Sequence, residues 1–350
     1  MKTTFKKQLS IILICTMLAV LTACGTDSAT TTQSTTESTT AASVSESASS
    51  EEVSEELSSE ESSTEADAEQ TVYPVTVTDQ AGREVTIEKE PSSIVSGYYI
   101  SSSLLIALGL KDKVVGIEAK ADKRPIYKLA APEMTELPNV GTAKEFNLET
   151  CAALSPDLVI LPMKLKDAAQ SLTDLGITVL LVNPESQDLL TEMIKTIATA
   201  TNTNSEAAKL LAYIDSQKAI LTSALSGVEP ESVYLAGNSS FLSTAGPSMY
   251  QSSIIELAGG KNAADSITDT YWAEISYEQL LAWDPSYIII ASDAEYTVDD
   301  VMNDPNLAEC TAVKNSHVYA IPGDVEALDS PVPAGILASI WLAGILHPDQ

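Results

Sequence analysis

The residues of this chain best suited to chemistry are groups for recognition rather than for bond-making. Tyr98 and Tyr99, Lys123 and Arg124, Met163 and Lys164, Asn238, Tyr271 and Trp272, Glu295 and Tyr296, and Glu326 and Asp329 fall in loops beyond stretches that read as strands. Aromatic faces pack on a ligand, and amides and carboxylates hydrogen-bond to it. The planar guanidinium of Arg124 suits bidentate contact with a carboxylate or a chelated oxyanion. No nucleophile constellation accompanies them: there is no Gly-x-Ser-x-Gly, no P-loop and no Gly-x-Gly-x-x-Gly after the first strand. The two His, His317 and His347, have no Cys or carboxylate at ligand spacing, which excludes a metal site built from several His. No cofactor, resident metal or catalytic residue is therefore expected, and the chain reads as a binder rather than an enzyme.

A duplicated unit must position those loops. Asn147–Leu161 lies over Ser276–Ile290 without a gap, with Glu149 on Glu278, Pro156 on Pro285 and Leu158–Leu161 on Tyr287–Ile290. Each copy reads as a short amphipathic helix opening with Glu, a Ser-Pro-Asp or Asp-Pro-Ser turn, and a continuous apolar strand. Such strands are buried on both faces, as in parallel sheets. Copies about 130 residues apart fit two similar lobes and not a solenoid.

Charge is unevenly spread along the 350 residues, whose formal net charge is −30. That excludes a nucleic-acid partner, which needs a basic surface. Lys2, Lys6 and Lys7 precede an apolar run from Leu9 to Val20, followed by Leu21-Thr22-Ala23-Cys24. A basic end, a short apolar core and small residues before the cut make a secretory signal over 1–23. The core falls short of the roughly 20 apolar residues that span a bilayer. Gly25–Gln70 holds 22 Ser or Thr and 12 acids with no base and no aromatic residue, so 24–70 is expected to be a disordered linker. From Thr71 onward 37 acids face 16 bases, yet six of those bases fall between Lys111 and Lys128. That local reversal of sign suggests attraction for an anionic ligand. Cys151 and Cys310 are isolated and read as buried small hydrophobes.

The remaining elements alternate. A hairpin is expected over Val72–Val77 and Arg83–Ile87, then strands at Ile94–Ser96, Val114–Ile117 and Thr178–Val182 beside the first repeat strand. Helices are expected at Ser101–Leu110, Ala168–Leu175 and Asp188–Ala200, with a loop from Lys123 to Pro138. Asn204 is expected to cap a helix reaching about Ser226, roughly 33 Å long. Beyond it follow a strand at Ser232–Ala236, a helix at Ser253–Leu257, the second repeat, a short helix from Asp299, a strand at His317–Ile321 and a helix at Ile336–Leu346. The expected fold class is α/β: two Rossmann-like lobes with mostly parallel sheets, one long backbone helix between them and a ligand cleft between the lobes. The domains are an N-terminal lobe at 71–203, a connecting helix at 204–226 and a C-terminal lobe at 227–350.

This arrangement resembles the substrate-binding proteins of bacterial ABC importers, in the helical-backbone class that binds ferric siderophores, haem and cobalamin. The resemblance rests on Asp79–Ile87, Pro138-Asn139-Val140-Gly141, Asn147-Leu148-Glu149 with Ser155-Pro156-Asp157, and Trp272 with Ser276-Tyr277-Glu278. Leu-x-Ala-Cys resembles the bacterial lipobox, which implies a diacylglyceryl thioether on Cys24 and a lipid-anchored protein on the extracytoplasmic face of the cell membrane. The resemblance further implies that Glu149 and Glu278 dock an importer permease, which works with its ATPase, and that Trp272 packs against the ligand. The expected ligand-binding set is Tyr98, Tyr99, Arg124, Met163, Lys164, Asn238, Tyr271, Trp272 and Glu326. Cobalamin binders of this class place aromatic residues where Ala143 and Pro162 stand here, so a ferric siderophore ranks first and a corrinoid or haem next. The protein is expected to act as a monomer. An enzyme on this architecture would need a catalytic cluster, and a surface adhesin is the third reading.

Overall fold

The computed structural model describes residues 70–350, and the signal segment, Cys24 and the linker lie outside the described residues. An antiparallel hairpin of β1 (Val75–Thr78) and β2 (Glu84–Ile87) comes first. The buried Asp79 carboxylate closes its turn, accepting from the backbone N–H of Ala81 and Arg83 and from the Arg83 guanidinium. It also accepts from the backbone N–H of Leu181, so one side chain ties the hairpin to the lobe that follows.

That lobe runs through β3 (Ile94–Ser96), α1 (Tyr99–Ala107), β4 (Val114–Ile117), α2 (Pro125–Ala130), α3 (Leu148–Ala153), β5 (Leu158–Pro162), α4 (Lys166–Asp174), β6 (Val179–Val182) and α5 (Gln187–Thr201). Helix α6 (Asn204–Ala224) then leads into β7 (Glu231–Ala236), β8 (Ser243–Ala245), α7 (Tyr250–Leu257), β9 (Gly260–Asn262) and β10 (Trp272–Glu274). The chain continues with α8 (Tyr277–Trp283), β11 (Tyr287–Ile290), α9 (Val298–Met302), α10 (Thr311–Lys314), β12 (Val318–Ala320) and α11 (Ile336–Leu346).

The two four-stranded sheets are parallel throughout and share one topology. Their orders are β4-β3-β5-β6 and β9-β7-β11-β12, so both read second, first, third, fourth in their own chain order. The repeated strands β5 and β11 occupy the same third position. The duplicated stretch is thus the helix–strand unit that supplies the third strand of each lobe. Every residue of β5 is buried, and so are Ile288–Ile290 of β11, as their unbroken apolar runs require.

Helix α6 has 21 residues, or about 31 Å. Its buried residues Ala207, Ile214 and Leu221 recur every seven positions and make one stripe. The stripe packs on α5 of the first lobe and on α7 and α11 of the second. One helix is therefore shared by both lobes.

Several local expectations need correction. Thr203, not Asn204, is the N-cap of α6, and the helix ends at Ala224. The expected loop from Lys123 to Pro138 contains α2, because Pro125 sits at the first helical position, where its missing N–H costs nothing. Trp272 is in a strand, β10, paired antiparallel with β8, where a loop was expected. Cys151 and Cys310 are free and buried. Among the described residues no helix is long and apolar enough to cross a membrane.

Candidate functional site

The carboxyl ends of the central strands converge on one cavity. Tyr98 and Tyr99 follow β3, Asn238 follows β7, and Asp293 follows β11. This is where ligands enter parallel α/β sheets, beside the point at which strand order reverses. Gly97 permits the close packing of the first corner, since a Cβ there would lie 2.5 Å from Leu161 Cδ2. The cavity encloses about 180 Å³, and Trp272 of β10 is part of its lining.

Three consecutive serines of α1 build the floor, each with a different partner. Ser101 Oγ meets Ser96 Oγ at 2.7 Å, Ser102 Oγ donates to Glu118 Oε2 at 2.6 Å, and Ser103 Oγ donates to Glu326 Oε2 at 2.9 Å. Tyr127 OH donates to Glu118 Oε1 at 2.7 Å. Burial pushes both carboxyls up: Glu118 is opposed by the Ser102 and Tyr127 hydrogen bonds, Glu326 by Ser103 and the field of Arg124. Tyr99 OH meets Ser330 Oγ at 2.9 Å across the lobes, and burial pushes its phenol up to about 12.

Arg124 lies over the Tyr99 ring, with its guanidinium carbon 3.9 Å from the centroid. Its charge acts on Glu118 and Glu326, which stabilises the floor beneath the ligand space. Part of the basic cluster around it is paired at the surface. Lys111 pairs with Glu133 at 2.8 Å, Lys113 with Glu90 at 2.7 Å and Lys123 with Asp122 at 2.9 Å. Half of the six bases are thus matched locally, and no Lys or Arg lines the cavity. The charges that do line it are Glu185, Asp293 and Asp329. Burial pushes Glu185 up, opposed by Lys164, and pushes Asp329 up, opposed by its hydrogen bond from Ser292.

Of the residues singled out in sequence, Tyr98, Tyr99, Asn238, Trp272 and Asp329 share this cavity. Arg124 borders it through Tyr99. Lys164 is exposed at the end of β5, beside the half-buried Met163. Tyr271 is 58% exposed beside Trp272, and Glu326 is buried in the floor rather than in the lining. Glu295 is exposed, and Tyr296 OH donates to the Gly237 carbonyl at 2.5 Å. Sequence reasoning missed Glu185, Asp293 and Gln251. The first two follow strands β6 and β11 and were open to the same strand-end rule, whereas Gln251 in α7 carried no local signal.

Glu149 and Glu278 lie away from this cavity, exposed in the first turns of α3 and α8. Asn147 and Ser276 cap those helices by accepting from Thr150 N and Gln279 N. The two carboxylates precede equivalent strands and so occupy equivalent places in the two lobes. Among the described residues no group of three or more His, Cys, Asp or Glu is arranged to hold a metal ion. His317 Nδ1 contacts the Ser286 carbonyl and His347 Nε2 the Gly259 carbonyl.

Residues 94–325 match the profile of a family described as periplasmic binding protein. The uncharacterized ABC transporter substrate-binding lipoprotein YvrC of Bacillus subtilis is 30% identical over 74% of this chain and 82% of its own length. A cobalamin-binding protein of Halobacterium salinarum is 27% identical over 79% of this chain and 74% of its own. The molybdate-bound structure of MolA from Haemophilus influenzae superposes with a TM-score of 0.70, covering 78% of this chain and 91% of MolA at 23% identity. At that identity the match speaks for the fold alone.

Proposed function

We propose a cargo for this chain, which belongs to the periplasmic binding protein family and is the extracytoplasmic substrate-binding component of an ABC importer: a metal-centred macrocycle of the corrinoid class, held between the lobes. One observation carries this choice. The cavity at the strand ends combines aromatic faces with hydrogen-bond acceptors and has no Lys or Arg in its lining. A strongly anionic ferric siderophore or an oxyanion would meet Glu185, Asp293 and Asp329 in the lining itself, with the cations Arg124 and Lys164 outside it, and like charges in a partly desolvated cleft repel. A corrin with neutral carboxamide arms does not suffer that repulsion. About 180 Å³ is below the size of most cofactor pockets, so it takes one peripheral arm. The ring itself then lies in the mouth, against Trp272 and Tyr271, which are 39% and 58% exposed. Those two aromatics serve where Ala143 and Pro162 leave none.

The same reading takes Cys24 as the lipidated anchor, 24–70 as its tether, 71–203 and 227–350 as the lobes, and 204–226 as the connector. Glu149 and Glu278 dock the permease, and the protein acts as a monomer.

Titration with cyanocobalamin, haem, a ferric catecholate, a ferric hydroxamate and molybdate tests the choice, read by quenching of Trp272 emission. Cobalamin is expected to bind and quench, with the quench lost in Trp272→Phe. Binding of the catecholate or molybdate but not of cobalamin overturns the corrinoid assignment while leaving the importer role in place.

A further inference from the structure

Among the described residues, Gln251 Oε1 and Ser339 Oγ are the buried side-chain polar atoms without a hydrogen-bond partner. Ser339 is in the terminal helix α11, whereas Gln251, 7% exposed, lines the cleft cavity. The orientation of its amide follows from the geometry. Gln251 Nε2 donates to the Asp329 carbonyl at 2.9 Å, an acceptor, so the free end is the oxygen. Buried acceptors are nearly always satisfied, so an orphaned oxygen on a side chain that lines a cavity at the strand ends calls for a donor from outside the chain.

We propose that the inner end of the cleft is a subsite for an N–H donor group of the cargo, a primary carboxamide or an ammonium, received by Gln251 Oε1 and the Asp329 carboxylate. This rests on the chelate-importer reading and specifies which part of the chelate the protein recognises. The Asp329 carboxylate accepts from Ser292 N and Oγ through Oδ1. Asp293 and Glu185 add two further acceptors to the lining. A carboxamide NH₂ or an ammonium offers two or three donors to this set. A carboxylate at the same place would set an acceptor against acceptors. A site built to hydrogen-bond a donor rejects the analogue that lacks it, because its own buried groups are then left unpaired.

Two matched pairs of probes test the subsite on the full chain by calorimetry. The first is cyanocobalamin against its monocarboxylic acid derivatives, in which one peripheral carboxamide is hydrolysed. The second is ferrioxamine B, which carries a pendant ammonium, against its N-acetyl derivative. In whichever class binds, the member with the intact carboxamide NH₂ or the ammonium is expected to be at least about tenfold tighter. Gln251→Met should bring the pair to within about threefold, with an unchanged circular dichroism spectrum. Asp329→Asn keeps the shape and a Ser292 contact but removes the charge, so it should weaken the ammonium pair's preference more than the carboxamide pair's. Equal affinity within a pair overturns the subsite and leaves water as the partner of Gln251 Oε1. A preference that survives Gln251→Met overturns it as well. Discrimination in the ferrioxamine pair with no corrinoid binding supports the subsite and overturns the corrinoid cargo. Binding of neither class overturns both.

Discussion

Ser103 Oγ donates to Glu326 Oε2 at 2.9 Å, joining residues 223 positions apart across the floor of the cleft. Tyr99 and Ser330 make a second such link, 231 positions apart. The lobes therefore meet through a hydrogen-bonded polar seam, and the neighbouring Ser102 donates to the buried Glu118. Polar burial of this kind is satisfied only when both lobes are folded and in register, which couples their stability to each other.

The seam should make stability depend on pH. Burial raises the folded-state pKa of Glu326 above its ordinary 4.5, so its stabilising contribution is fully present below that value and is lost as pH rises through the raised one. Asp157 works the other way. Hydrogen bonds from Ser92 and a contact with Lys89 depress its pKa, and its contribution is lost only in strong acid. The melting temperature is thus expected to rise as pH falls toward 4.5. Glu326→Gln removes one titration, so it should exceed wild type at pH 8 and converge with it below pH 4.5. Parallel melting curves for the two proteins across that range would show that burial at Glu326 has no such effect.

Arg124→Ala should act on the protein before it acts on any ligand. It removes a cation stacked on Tyr99 and the counter-charge of Glu118 and Glu326, at a cost of about 1–2 kcal/mol in stability. Affinities for neutral and anionic chelates should fall together. A loss confined to anionic chelates, with unchanged thermal stability, would restore the guanidinium as a direct ligand contact.

Glu149→Ala with Glu278→Ala should separate binding from delivery. Both carboxylates are exposed, outside the cavity and in equivalent places, where charges act on a docking partner. Ligand affinity of the purified double variant should stay within a few-fold of wild type, while uptake by cells falls strongly. Normal uptake would remove both residues from the docking surface.

Cys24→Ala tests the anchor. The variant should leave the membrane fraction for the medium or accumulate as an uncleaved precursor. Membrane association equal to wild type would reject lipidation at this residue.

The two-lobed plan was legible because it is written locally. The continuous apolar runs of β5 and β11 announce strands buried on both faces, and their identical lead-in from Glu through a Pro turn announces a duplicated unit. The apolar residues at 207, 210, 211, 214, 221 and 225 likewise marked the shared helix. The strand-end rule placed Tyr98, Tyr99, Asn238 and Asp329 at one site without any knowledge of distance. Charge could not be read that way. The cluster from Lys111 to Lys128 suggests attraction for an anion, and only the folded chain shows that Glu90 and Glu133 pair with two of its lysines. The seam of Ser103 with Glu326 and the orphaned oxygen of Gln251 were equally silent in sequence. Periodicity reports which face of an element is buried, because burial is set by the element's own pattern. Which groups meet there is set by contacts hundreds of residues apart, and those exist only once the chain has folded.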